Sequence, residues 1–232
     1  QGGPYRVFTP FWRACQMRLD AQPAPLPAPR RLRGPSQSID SLALHELDLL
    51  PKIPWDAAFS SHWTPGESGA HRRLEEFCGE WLGRYDECRN RPDLPASSRL
   101  SPHLHFGEIS PHQIWRAASH AQEAGEAPAR DIQKFLSEIA WRDFSHHLLY
   151  NDPEMGHLSW RRQFEDVDWR TGSKSELEAW RRGQTGYPIV DAGMRELWTT
   201  GYMHNRVRMI VASFFAKDLL VHWRKGEQWF WD

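Results

Sequence analysis

No stretch of this 232-residue chain alternates β-branched and polar residues for long enough to make a strand, whereas apolar residues recur at helical spacing between clusters of proline and glycine. That pattern admits a set of helices of limited length joined by loops and gives no basis for a sheet. In HRRLEEFCGEWLGRY the apolar positions Leu74, Phe77, Cys78, Trp81 and Leu82 fall on one side, with charges between them. Thr64-Pro65-Gly66-Glu67, just ahead, has the form of a capping box. Ser110-Pro111 reads as an N-cap followed by a first-turn proline, launching a helix through Trp115. Further helices are expected over about 129–150, over 174–182 with Gly183 as the stop, from about Ile189 through DAGMRELWTT, and as one continuous element over 202–223. The expected class is all-α.

Two segments break the helical pattern. AQPAPLPAPRRLRGP, residues 21–35, places Pro23, Pro25, Pro27 and Pro29 at every second position, which forbids helix and favours an extended tether. RNRPDLPASSRLSPHLHFGEISP, residues 89–111, carries Pro92, Pro95, Pro102, Gly107 and Pro111 in quick succession. We therefore expect a connecting and proline-rich region over 1–65 and a helical domain over 66–232.

Composition excludes several classes. Charged residues make up 25% of the chain, and no apolar run approaches the roughly 20 residues of a membrane helix, so a soluble protein without a membrane partner is expected. Three cysteines without a CxxC spacing fit neither a disulfide framework nor a zinc site, which points to a reducing compartment. The first residue is Gln1 and no signal peptide is evident, so a fragment of a longer product is expected. A net charge of -1 makes no global case for nucleic acid, but Gly201–Lys225 sets Arg206, Arg208, Lys217, Arg224 and Lys225 against Asp218 alone. Thirteen tryptophans are several times ordinary usage; core packing accounts for most of them and strains to account for all.

Candidate chemistry is sparse until the motifs are combined. Ser97-Ser98-Arg99-Leu100-Ser101 sets hydroxyls and backbone N–H groups at a break between helices, where a phosphate can be cradled. In FLSEIAWRDF, Glu138, Trp141 and Arg142 lie near one helix face, either as a surface ion pair beside an indole or as a ligand-binding group beside a flat apolar wall. In GYMHNRVRMIVASFFAKDLLVHW, Asn205 and Arg208 share a face while Arg206 projects elsewhere, and on one straight helix Asn205 and Trp223 would point the same way about 27 Å apart. P-loop, Rossmann and nucleophile-elbow motifs are absent, and the histidines lack partners at metal spacing.

Four blocks in fixed order, GGPYRVFTPFWRA, RNRPDLPASSRLSPHLHFGEISP, EIAWRDF and TGYPIVDAGMRELWTTGYMHNRVRMIVASFFAKDLLVHWRKGEQWFWD, resemble the C-terminal, flavin-binding half of DNA photolyases and cryptochromes. The resemblance spans nearly the whole chain. It implies an all-helical domain that holds FAD, active when reduced, with Tyr85, Ser97, Ser98, Arg99, Leu100, Ser101, Phe135, Arg142 and Arg208 on the flavin side. Phe135 stands where many relatives have tryptophan. The resemblance further implies that Glu138 and Asn205 bind the damaged pyrimidines with Trp141 and Met209 packed against them. Arg89 and Arg206 would reach the DNA backbone, with Glu138, Trp141, Arg142 and Asn205 completing the DNA-binding set. Trp169 and Trp223 would belong to a tryptophan chain that carries electrons to an oxidised flavin; the other tryptophans would be core.

The function implied by the resemblance is that of a deoxyribodipyrimidine photolyase, a carbon–carbon lyase splitting cyclobutane dimers in UV-damaged DNA, or alternatively that of a blue-light-signalling cryptochrome or an inert helical scaffold. A monomer in the cytoplasm, on the nucleoid in a bacterium, is expected. In the family an antenna domain carrying a folate or deazaflavin chromophore precedes this region, and further flavin-site residues come after WRKGEQWFWD. The piece by itself is therefore expected to bind FAD weakly or not at all.

Overall fold

The computed structural model describes residues 3–19 and 26–231. Pro23 and Pro25 of the expected tether lie outside them; Pro27 and Pro29 lie in exposed chain without regular structure. No strand occurs among the described residues, and the one isolated bridge there joins Arg170 to Val221. The class is all-α, as expected.

Ten α-helices occur in order among the described residues: α1 Phe8–Leu19, α2 Glu67–Glu80, α3 Tyr85–Cys88, α4 Ser101–His105, α5 Pro111–Glu123, α6 Ala129–Asn151, α7 Lys174–Arg181, α8 Pro188–Thr200, α9 Asn205–Ser213 and α10 Trp223–Trp231. Several starts are chemical. Ser110 accepts the Gln113 N–H while the Gln113 side chain accepts the Ser110 N–H, and Ser173 and Glu176 form the same reciprocal pair at α7. Pro111 and Pro188 open α5 and α8 with φ already set for a helix. The box expected at Thr64 does not form. Gly66 is the N-cap of α2, its N–H is taken by Glu108 at 2.8 Å, and the Thr64 hydroxyl instead accepts from Arg72. A long-range carboxylate has replaced the local one. Helix α1 has no counterpart in the expected set of elements.

The long helix expected over 202–223 is also not continuous. Helix α9 ends at Ser213, Phe214–Asp218 widens into a π turn, and a non-helical step with Leu220 at φ 52° precedes α10. The cause lies in packing. Val211, Phe214 and Phe215 point inward, and continuing the helix would carry the same stripe onto Asp218. The break leaves Asp218 exposed and puts fully buried Val221 into the core instead, with the Arg170 N–H bonded to the Leu220 carbonyl at 2.8 Å. Asn205 and Trp223 thus sit on different helices, and the straight-helix geometry of about 27 Å does not apply.

Two apolar cores result. The first joins Leu74, Phe77, Leu82, Tyr85, Leu100, Ile114, Ile132 and Phe135 from α2 to α6. The second joins Trp180, Val190, Met194, Met203, Val207, Val211, Phe215 and Val221 from α7 onward. Helices α8 and α9 approach so closely that a Cβ on Gly193 would overlap the Val207 side chain. The tryptophans are not mainly core: Trp180 is buried at 1% exposure, while Trp55, Trp160, Trp198 and Trp231 are exposed, with Trp198 stacked parallel to Trp229. Indoles of this size pack around helix ends as well as between helices.

Candidate flavin and DNA site

The two cores meet along a polar seam, and most of the candidate residues stand on it. The loop before α4 forms one side. Arg99 takes φ 51°, which turns the chain so that the Ser97 hydroxyl lies 2.6 Å from the Tyr202 hydroxyl. The Arg99 guanidinium lies over the Tyr202 ring at 4.6 Å and reaches Glu196 at 3.9 Å. Burial raises the Glu196 carboxyl above its ordinary pKa, and Arg99 works against that rise. Arg99 Nε is buried without a hydrogen-bond partner. An orphaned cationic donor beside a serine-rich loop suits an anion of the phosphate type. Leu100 is buried at 1% exposure and anchors the loop, and Ser101 opens α4.

His204 is the other side of the seam. It is 6% exposed, caps α9 by accepting the Arg206 N–H on Nδ1 at 3.1 Å, and contacts the backbone of Arg89. Burial, and then the cations Arg206, Arg89 and Arg99 around it, hold its pKa below the ordinary histidine value. Sequence reasoning assigned His204 no role; its position ahead of Asn205 as a helix cap was the available signal.

From His204 a line of side chains runs toward α6. Arg206 Nε donates to the Asn90 side chain at 2.7 Å and its Nη1 contacts the Met209 sulfur at 3.5 Å. Arg89, one residue before Asn90, pairs with Glu138 at 2.5 Å, with only 11% and 30% of the two side chains exposed. Glu138 with Arg89, and Arg206 with Asn90, therefore come together from separate sequence regions, with Asn205 exposed at the start of α9 and Met209 one turn on. Glu138 does not pair with Arg142: Arg142 bonds the Leu104 carbonyl at 3.4 Å and stands 3.9 Å from Asp143. Arg208 is exposed and donates to the Met203 carbonyl at 3.4 Å.

Other candidates are placed differently. Tyr85 and Phe135 are 8% and 2% exposed and pack with Phe77 beneath the seam, with ring centres 5.4 Å apart. Burial pushes the Tyr85 hydroxyl up to about 12. Trp141 is 44% exposed, and one face carries the Phe8 ring of α1, stacked at 3.8 Å. Trp169 and Trp223 lie away from the seam, near each other: the Trp223 N–H donates to Ser159 at 3.2 Å, and Trp169 meets His222. No group of three or more metal-ligating side chains occurs among the described residues, and no described helix is long and apolar enough to cross a membrane.

Residues 135–232 match the FAD binding domain of DNA photolyase. A deoxyribodipyrimidine photo-lyase from Agrobacterium fabrum is 50% identical over 100% of this chain and 48% of its own length. A crystal structure of a bacterial class III photolyase from Agrobacterium tumefaciens superimposes with a TM-score of 0.89 at 48% identity, covering 100% of this chain and 47% of the other. A cryptochrome from Synechocystis gives 0.82 at 31% identity over 97% of this chain and 47% of the other. The chain spans about half the length of the curated relatives it matches first. Its helical architecture and these similarities together show that the chain belongs to the DNA photolyase and cryptochrome family, within which it corresponds to the FAD-binding domain.

Proposed function

We propose that this domain binds FAD against the 97–101 loop and repairs cyclobutane pyrimidine dimers in UV-damaged DNA as part of a deoxyribodipyrimidine photolyase. Reduced FAD, when bound and excited by light, supplies the electron that opens the dimer. The protein's part is placement. Ser97, Ser98, Ser101 and the unpartnered Arg99 Nε offer donors for the diphosphate, and Arg208 and Arg142 stand ready on the flavin side. Tyr85 and Phe135 support that surface from below. Arg206 and Arg89 meet DNA phosphates, a contribution that weakens with salt. Glu138 and Asn205 address the edge of a pyrimidine pair turned out of the duplex, with Met209 and Trp141 as apolar neighbours. We assign the polypeptide region over 1–65 to connection and 66–232 to the helical domain. Monomeric action on cellular DNA in the cytoplasm belongs to the same reading.

The observation that carries this reading is the placement of Glu138, Arg89, Arg206 and Met209 on the seam that also holds Arg99. Replacing Glu138 by Ala removes one charge-assisted hydrogen bond, and discrimination between dimer-bearing and intact DNA should fall roughly tenfold while flavin content is retained. Titrations of both DNAs with E138A, beside flavin absorbance, check this. Unchanged discrimination would remove Glu138 from the lesion contact. Dimer binding with no light-dependent repair by the wild-type protein would replace the repair reading with a signalling one.

A further inference from the structure

We propose that His222 is a positioning residue of the tryptophan relay, the aromatic bridge through which Trp169 and Trp223 exchange an electron. This rests on the reading that those two indoles form the relay. The His222 ring centre lies 5.3 Å from Trp169 at an interplanar angle of 67° and 5.5 Å from Trp223 at 29°. One imidazole therefore touches both indoles, an edge contact on one side and a tilted stack on the other.

The contact is built by the fold. The Arg170 N–H bonds the Leu220 carbonyl at 2.8 Å, and Arg170 bridges to Val221, so the segment bearing Trp169 is tied beside the one bearing His222. The polar edge of each indole is engaged elsewhere: Trp223 donates to Ser159 at 3.2 Å and Trp169 to the Phe164 carbonyl at 3.3 Å. That leaves the ring surfaces for His222. Helix capping alone does not call for this residue. His222 Nδ1 accepts the Arg224 N–H at 3.3 Å at the start of α10, a role that Asn, Asp or Ser fills more commonly. What histidine adds at this position is a ring.

The step is a simple exchange. When Trp223 is the cation radical, Trp169 supplies it with one electron. Trp223 returns to neutral indole and Trp169 is left as the cation radical. No bond forms or breaks, no proton moves, and His222 begins and ends unchanged. Electronic coupling through contiguous packed atoms exceeds coupling across a gap, which is why a filled contact between the indoles matters.

The test separates bridge from relay and ring from cap. In the flavin-free protein, NMR should find the His222 ring protons shifted by both neighbouring indoles, with part of the shift lost in W169F and part in W223F; no change in W169F would overturn the bridge. In the flavin-loaded protein, flash photolysis follows the decay of the Trp223 radical into the Trp169 radical. His222→Asn keeps the cap and removes the ring, and the transfer should slow by about tenfold or more; His222→Phe restores a ring and should recover to within about threefold. Equal rates in wild type and H222N, or failure of H222F to recover, would overturn the proposal. If W169F leaves the Trp223 radical lifetime unchanged, the relay reading itself falls. If W169F prolongs it and H222N does not, only the bridge falls.

Discussion

A buried imidazole stands where Arg89, Arg99 and Arg206 converge, and its neutral form accepts the Arg206 N–H at the start of α9. Because burial and then these cations lower its folded-state pKa below 6.5, the unfolded chain binds the proton more readily. Its contribution to stability is therefore complete above about pH 6.5 and is lost as the pH falls below that value. Thermal melts between pH 8 and pH 5.5 should show a decline that is smaller in His204→Asn, which keeps a cap acceptor and does not titrate; an equal decline in both would remove His204 as its source. At this scale the sequence was legible in part. The placement of Ser97–Leu100 in a loop just ahead of a helix could be read from hydroxyl density and a helix break, both local properties. The pairing of Glu138 with Arg89, 49 positions apart, could not, and the local spacing suggested Arg142 instead.

Among elements, the segment 202–223 separates what periodicity carries from what it cannot. Its apolar spacing is helical as far as Phe215 and it contains no proline or interior glycine, yet the chain breaks at Phe214–Asp218 and turns through Leu220 at φ 52°. Left-handed backbone is unfavourable for a side chain bearing Cβ, but Leu220 is 44% exposed and so buries just over half of its surface, and a glycine there would relieve the backbone at the cost of that burial. The two effects are similar in size, so Leu220→Gly should change stability by less than about 1 kcal/mol, read by denaturant midpoints at unchanged slope. A loss of stability would place greater weight on the leucine side chain than on the backbone. The start of α5 was legible from Ser110-Pro111, which act within one turn; the reciprocal caps by Gln113 and, at α7, by Ser173 with Glu176 came only with the structure. The start of α2 was not, because Glu108 arrives from another part of the chain.

Across the molecule, two apolar cores are joined by a polar seam, and Tyr202 spans it through its hydroxyl to Ser97 and through its ring to Arg99. Tyr202→Phe removes the first contact and keeps the second, with an expected cost of roughly 1 kcal/mol; Tyr202→Ala should cost more and also lower flavin retention. Paired denaturation curves and flavin content check this, and equal effects of the two substitutions would mean that the ring contributes nothing to the junction.

Read alone, the sequence settled the helical class, the start of α5 and both ends of α6 and α7 to within a residue or two, because each depends on residues within a few turns of one another. The family resemblance carried the candidate site residues. Only the tertiary structure decided which of them meet across the chain: Arg89 with Glu138, Arg206 with Asn90, and His222 with Trp169. It also decided that the segment expected as one long helix breaks: local spacing shows the apolar stripe arriving at Asp218, but only the packed core shows Val221 taking the inside position while Asp218 stays in water.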